Sequence, residues 1–124
     1  MKNKYACTIA AAILITIILA VIFNGIFVKR TAENILSILE ELPDDTSASL
    51  PKIRETAEYW ERRRKILNLA LSDPELEAIS SLFDELIIGA EKGNNEEYKK
   101  TMARLKRAIE DIKELEEFSI KNIF

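Results

Sequence analysis

The stretch from Tyr5 to Val28, YACTIAAAILITIILAVIFNGIFV, contains no Asp, Glu, Lys or Arg. As a helix, about 24 residues rising ~1.5 Å each reach ~36 Å, enough to cross a hydrocarbon core of ~30 Å with some tilt. Lys2 and Lys4 bound the stretch on one side, and Lys29 and Arg30 bound it on the other. A cleaved signal peptide fits poorly, because its apolar run is about 7–15 residues and a small-residue cleavage site follows it. Here the far end, Val21 to Val28, is mostly bulky. Cys7 opens the run, whereas a lipidation cysteine would follow it. The expected organisation is a short cytoplasmic tail (1–4), an uncleaved transmembrane anchor (5–28) and a helical extracytoplasmic domain (29–124). The basic flanks nearly balance, and only Lys and Arg count in the positive-inside rule. A four-residue tail is most simply left in the cytoplasm, with the rest outside the cell membrane.

The anchor carries a row of small and polar residues, Thr8, Ala12, Thr16, Ala20 and Asn24, at i, i+4 steps. Small residues at this spacing let two helix backbones approach, and Thr or Asn can bond across the contact. The row is a candidate packing face for another helix, including that of a second copy of the chain. An anchor rich in Ala and Thr also produces such rows by composition, and Asn24 beside Gly25 equally suits the headgroup level.

The chain of 124 residues has a net charge of −3 and contains no His and one Cys. Its negative charge argues against nucleic acid as a partner. With Cys7 in the apolar run, there is no disulfide framework, no Cys/His metal site and no His- or Cys-based catalysis to expect. No phosphate loop or calcium-loop spacing occurs, so no cofactor is expected. Beyond the anchor, about 95 residues suffice for one small domain. Three Gly, three Pro and an absence of strand-like alternation point to an all-α fold.

Ile35, Leu36, Ile38, Leu39 and Leu42 repeat at helical spacing. Thr31 can cap a new helix there, or the anchor helix can run straight through. Pro43 to Ser49 reads as a polar loop, and a second helix is expected from near Pro51, where a first turn tolerates proline. Its stripe is Ile53, Ala57, Trp60, Leu67 and Ala70 or Leu71. Ser72-Asp73-Pro74-Glu75 is a helix start with capping-box spacing. The third helix carries Leu76, Ile79, Phe83, Leu86, Ile87 and Ala90. Gly93 suits a left-handed cap, and Asn94 or Asn95 suits the next N-cap. The fourth helix, from about Glu96 to Glu116, carries Tyr98, Met102, Leu105, Ala108, Ile109 and Ile112. Glu96–Lys100, Lys106–Glu110 and Lys113–Glu117 are candidate i,i+4 pairs. The tail from Phe118 to Phe124 is apolar and is expected to pack back on the bundle. Short loops favour antiparallel neighbours, so the expected fold is a transmembrane helix followed by an antiparallel bundle of three to four helices.

Trp60 is followed by Glu61 and then by Arg62, Arg63, Arg64 and Lys65, the densest basic cluster. It is a candidate docking surface for anionic headgroups, a wall polymer or an acidic partner. Four consecutive residues also spread around a helix, which suits an ordinary solvated surface. Trp60 itself is expected in the core. Acidic residues over 73–97 and the basic set Lys99, Lys100, Arg104, Lys106 and Arg107 can pair across the bundle without any ligand.

The anchor, Trp60 with its basic followers, the break at Ser72-Asp73-Pro74-Glu75 and the ending Ser119-Ile120-Lys121-Asn122-Ile123-Phe124 give the chain a likeness. It resembles the domain of unknown function 4363 family of small membrane-anchored bacterial helical proteins, over nearly its full length. The chain departs from that pattern in lacking a His at the helix break. The resemblance implies a membrane-anchored helical protein of bacterial origin and assigns no functional residues. Together these readings suggest a non-catalytic interaction or accessory domain with a membrane or envelope protein as partner. The alternative is a protein that binds lipid or a small amphiphile at the bilayer surface.

Overall fold

The computed structural model describes residues 2–67 and 73–123. Four helices account for nearly all of them: α1 (Lys2–Glu41), α2 (Thr46–Leu67), α3 (Asp73–Lys92) and α4 (Asn95–Ile123). No strand occurs among the described residues. Ala70, Leu71 and Ser72, named above for the second stripe and the capping box, lie outside the described residues.

The anchor helix and the first amphipathic segment are one element. α1 runs 40 residues without a break, and Thr31 is buried in it rather than capping a new helix. By length and composition α1 can cross a membrane, and no residue of its most apolar stretch is buried. Burial begins at Gly25 and continues through Val28, Ala32, Ile35 and Leu39. The steps alternate between three and four residues, the spacing by which bundle helices keep one seam toward their neighbours.

The other helices repeat that alternation. Buried positions are Thr46, Ser49, Ile53, Thr56, Trp60 and Leu67 on α2, and Leu76, Ile79, Phe83, Leu86 and Ala90 on α3. On α4 they are Tyr98, Met102, Leu105, Ile109 and Ile112. Each helix packs on two others: α1 on α2 and α4, and α3 on α2 and α4. All four packings are antiparallel. Asn34 meets Tyr59, Arg54 meets Glu91, and Ile79 shares a groove with Ile112. Lys29 and Glu33 meet Glu117 and Lys113. The ion pairs that join helices therefore run from α1 to α4 and from α2 to α3, and the candidate i,i+4 pairs of α4 are not formed among the described residues.

The structure departs from the sequence reading in two places. First, α2 starts at Thr46, five residues before Pro51. The Asp45 carboxylate accepts a hydrogen bond from the Ser47 amide at 3.0 Å, an N-cap that opens the helix early. The buried Ser49 hydroxyl bonds back to the Pro43 and Asp45 carbonyls at 2.8 and 2.9 Å. Pro51 is left inside the helix, where it removes only the bond to the solvent-exposed Ser47 turn. Second, the C-terminal tail does not fold back. α4 continues as helix to Ile123, and Phe118 stays 66% exposed.

The turn between α3 and α4 is as its residues predict. Gly93 has φ 67°, open to glycine at little cost. The Asn94 amide bonds to the Gly89 carbonyl and the Gly93 amide to that of Ala90, the paired bonds of a Schellman ending. Asn94 then caps α4 by accepting from the Glu97 amide at 3.3 Å.

Trp60 is fully buried and stacks on Phe83 with ring centroids 6.4 Å apart. Trp60→Ala therefore removes a large core side chain and is expected to destabilise the bundle by ~3–5 kcal/mol. Thermal melts of the full chain in detergent check this. An unchanged melting temperature would contradict the core assignment.

Candidate functional site

The basic run after Trp60 divides among three environments, because successive residues on a helix point about 100° apart. Arg63 turns toward α1. Its guanidinium carbon lies 5.0 Å from the centre of the Phe27 ring and 5.1 Å from that of Tyr59. Such stacking over two ring faces holds a cation without a carboxylate partner. Arg64 turns toward α3, donating to Ser80 Oγ at 3.1 Å and lying 3.7 Å from Glu61. Arg62 and Lys65 are exposed and form no ion pair among the described residues. The four cations thus do not share one face. Two are spent on holding helices together, and two remain open to solvent.

Ser80 is the hub of the α2–α3 contact and was not among the residues singled out from the sequence. Its hydroxyl accepts from the Trp60 indole N–H at 2.8 Å and from Arg64, and donates to Glu61 Oε1 at 2.9 Å. That is the full capacity of a hydroxyl, two acceptor sites and one donor. No local signal marks Ser80, since all three partners come from the neighbouring helix. The buried Thr46, Ser49 and Thr56 were also missed as core positions. Their signal was present, as they sit at three- and four-residue steps in phase with Ile53 and Trp60.

The row Thr8, Ala12, Thr16 and Ala20 lies on the exposed part of α1, and Asn24 is half-buried. The Thr8 hydroxyl donates to the Lys4 carbonyl at 2.9 Å, and the Thr16 hydroxyl donates to that of Ala12 at 2.8 Å. Both donors are thereby satisfied within their own helix, as hydroxyls in apolar surroundings require.

Among the described residues, no group of three His, Cys, Asp or Glu side chains is placed to hold a metal ion. One apolar groove of about 660 Å³ runs between the start of α3 and the end of α4. Ile79, Ala108, Ile112 and Phe118 line it, with Glu75 and Asp111 among its acidic residues. On α4, the Glu116 carboxyl is pushed above the ordinary carboxylate range by burial.

In comparisons with family models, with curated proteins and with solved structures, the chain has no match in any of the three. The resemblance drawn above therefore rests on the quoted residues alone.

Because burial raises the Glu116 carboxyl, the folded state holds that proton more tightly than the unfolded chain does. Its favourable effect is complete below the unfolded-state range and is lost as pH rises through the folded-state value. Glu116→Gln is expected to raise the melting temperature at neutral pH, with the gain vanishing in acid. Equal melts at both pH values, or a lower one at neutral pH, would contradict the burial of a charge there.

Proposed function

We propose that this chain is a membrane-anchored helical domain that serves as a non-catalytic docking module for another membrane or envelope protein. The observation that carries the reading is the continuity of α1. Its first half leaves apolar side chains uncovered all round, such as Ile9, Leu14, Ile17 and Phe23. Its second half is a core element of the bundle. An uncovered apolar helix of this length belongs in a bilayer. An unbroken helix leading from there into the core fixes the bundle's height and tilt at the membrane, which suits presentation of a surface to a neighbour in the same membrane. In this reading residues 1–4 stay in the cytoplasm and the bundle lies outside. The bacterial origin implied by the family resemblance accords with an envelope partner.

A second reading, binding of a lipid tail or small amphiphile, is favoured by the α3–α4 groove, whose size lies in the ~300–1,000 Å³ range of small-molecule sites. Native mass spectrometry of the purified chain separates the two, since a retained lipid mass of fixed stoichiometry supports the second.

Photo-crosslinking residues placed at Glu58 and Arg107, exposed on α2 and α4 away from the span-proximal end of the bundle, test the docking reading in native membranes. One discrete heterologous adduct is expected, and protease added to intact cells should remove it together with the bundle. A chain that yields no adduct from either position contradicts the docking role. An adduct protected from external protease reverses the orientation.

A further inference from the structure

The register of the helices fixes which residues lie level with the end of the apolar span. Lys29 pairs with Glu117 at 3.7 Å and Glu33 with Lys113 at 3.5 Å. Each step back along α1 is therefore matched by a step forward along α4. Phe118 falls level with Val28, Lys121 with Gly25, and the last helical residue, Ile123, with Phe23. On the other side, Arg63 reaches Phe27 and Asn34 reaches Tyr59. The end of α2 thus climbs to the same level, with Ile66 44% exposed one turn beyond Arg62.

Bilayer dimensions turn this register into depths. A hydrocarbon core of ~30 Å takes up about 20 residues of α1, which matches the mostly exposed run from Tyr5 to Asn24. The headgroup layer adds about 5–7 Å, or roughly four further residues, on that side. These are the residues at which burial in the bundle begins. The bundle accordingly does not stand off from the span, and the ends of α2 and α4 occupy the same layer as Gly25 to Lys29.

The side chains at that level suit it. Lys29, Arg30, Arg62 and Lys65 are exposed cations of α1 and α2. Ile66 and Phe118 are large apolar side chains left uncovered by the core. Glu117 lies at the same layer on α4, paired with Lys29. The α1–α2 corner is therefore cationic, and the α4 edge carries Phe118 between Glu117 and Lys121. Cations with apolar anchors beside a membrane helix match an anionic interface, the cations meeting phosphates while apolar groups enter the acyl boundary.

We propose that the span-proximal end of the bundle is a lipid-docking surface. The Arg62–Lys65 corner contacts anionic phospholipid headgroups, and Ile66 and Phe118 insert at the acyl boundary beside α1. The inference rests on the reading of α1 as a membrane span. It also gives the exposed Phe118 ring a place against lipid.

Single cysteines in a Cys7→Ser background test it in the full chain, reconstituted in vesicles of phosphatidylcholine and phosphatidylglycerol. Leu14→Cys reports the span, Ile66→Cys and Phe118→Cys the proposed surface, and Lys99→Cys the distant end of the bundle. Each carries an environment-sensitive fluorophore and is quenched by shallow spin-labelled lipid or by aqueous iodide. The proposal predicts blue-shifted emission at 66 and 118, strong lipid quenching, and iodide quenching several-fold weaker than at 99. Arg62→Glu with Lys65→Glu should raise iodide access at 66 several-fold and leave 14 unchanged. If 66 and 118 are as open to iodide as 99 while 14 is quenched only from lipid, the surface proposal fails and the span stands. If 14 is open to iodide as well, both fail.

Discussion

One unbroken helix is apolar all round over its first half and a core element over its second, and the rest of the structure follows from that. Over its first half α1 is apolar around its whole circumference, so no face of it can be turned to water without cost. Over its second half burial narrows to positions at three- and four-residue steps, and α2 and α4 cover them. The change from full circumference to single seam occurs within one helical turn of Gly25. Because no loop intervenes, the bundle inherits its position from the span. The antiparallel pairings then decide which ends of α2, α3 and α4 come to the same level.

The bundle is specified by agreement between seam and caps. All four seams share the same alternation, which lets Trp60, Phe83 and Ile109 occupy one core without any helix twisting out of register. The caps at Asp45 and Asn94 and the left-handed Gly93 set where each helix begins and ends. Ion pairs between helices lie at the rim, with side chains about half exposed, as for Lys29–Glu117 and Arg54–Glu91. Such pairs contribute ~0.2–1 kcal/mol each and serve register more than stability. The Ser80 hub differs, because it answers the buried indole N–H of Trp60, a donor that is costly to leave unbonded.

Much of this was legible in the residues. Helical spacing marked the stripes of α3 and α4, and Trp60 was placed in the core by its phase with Ile53 and Leu67. A helix long and apolar enough to cross a membrane was legible from its lack of charge. The start of α2 was not, because Thr46 and Ser49 are polar and look like loop residues until Asp45 is seen to cap them. The helical tail was misread for a related reason. Apolar residues past the end of a core ordinarily fold back on it, whereas here α4 continues as helix to Ile123. The division of the basic run was only half visible. Its spread around the helix followed from spacing, but the rings that receive Arg63 and the hydroxyl that receives Arg64 come from other helices.

α1 is a single helix from its apolar half into the core. Spin labels at Leu14→Cys and Ser37→Cys, in a Cys7→Ser background in bilayer discs, measure it directly by pulsed dipolar spectroscopy. Both sites are exposed, and an unbroken helix separates them by ~35 Å at ~1.5 Å per residue. The account predicts a narrow distance distribution centred there. A broad distribution, or one centred well below that distance, would mean a hinge between span and bundle and would contradict it.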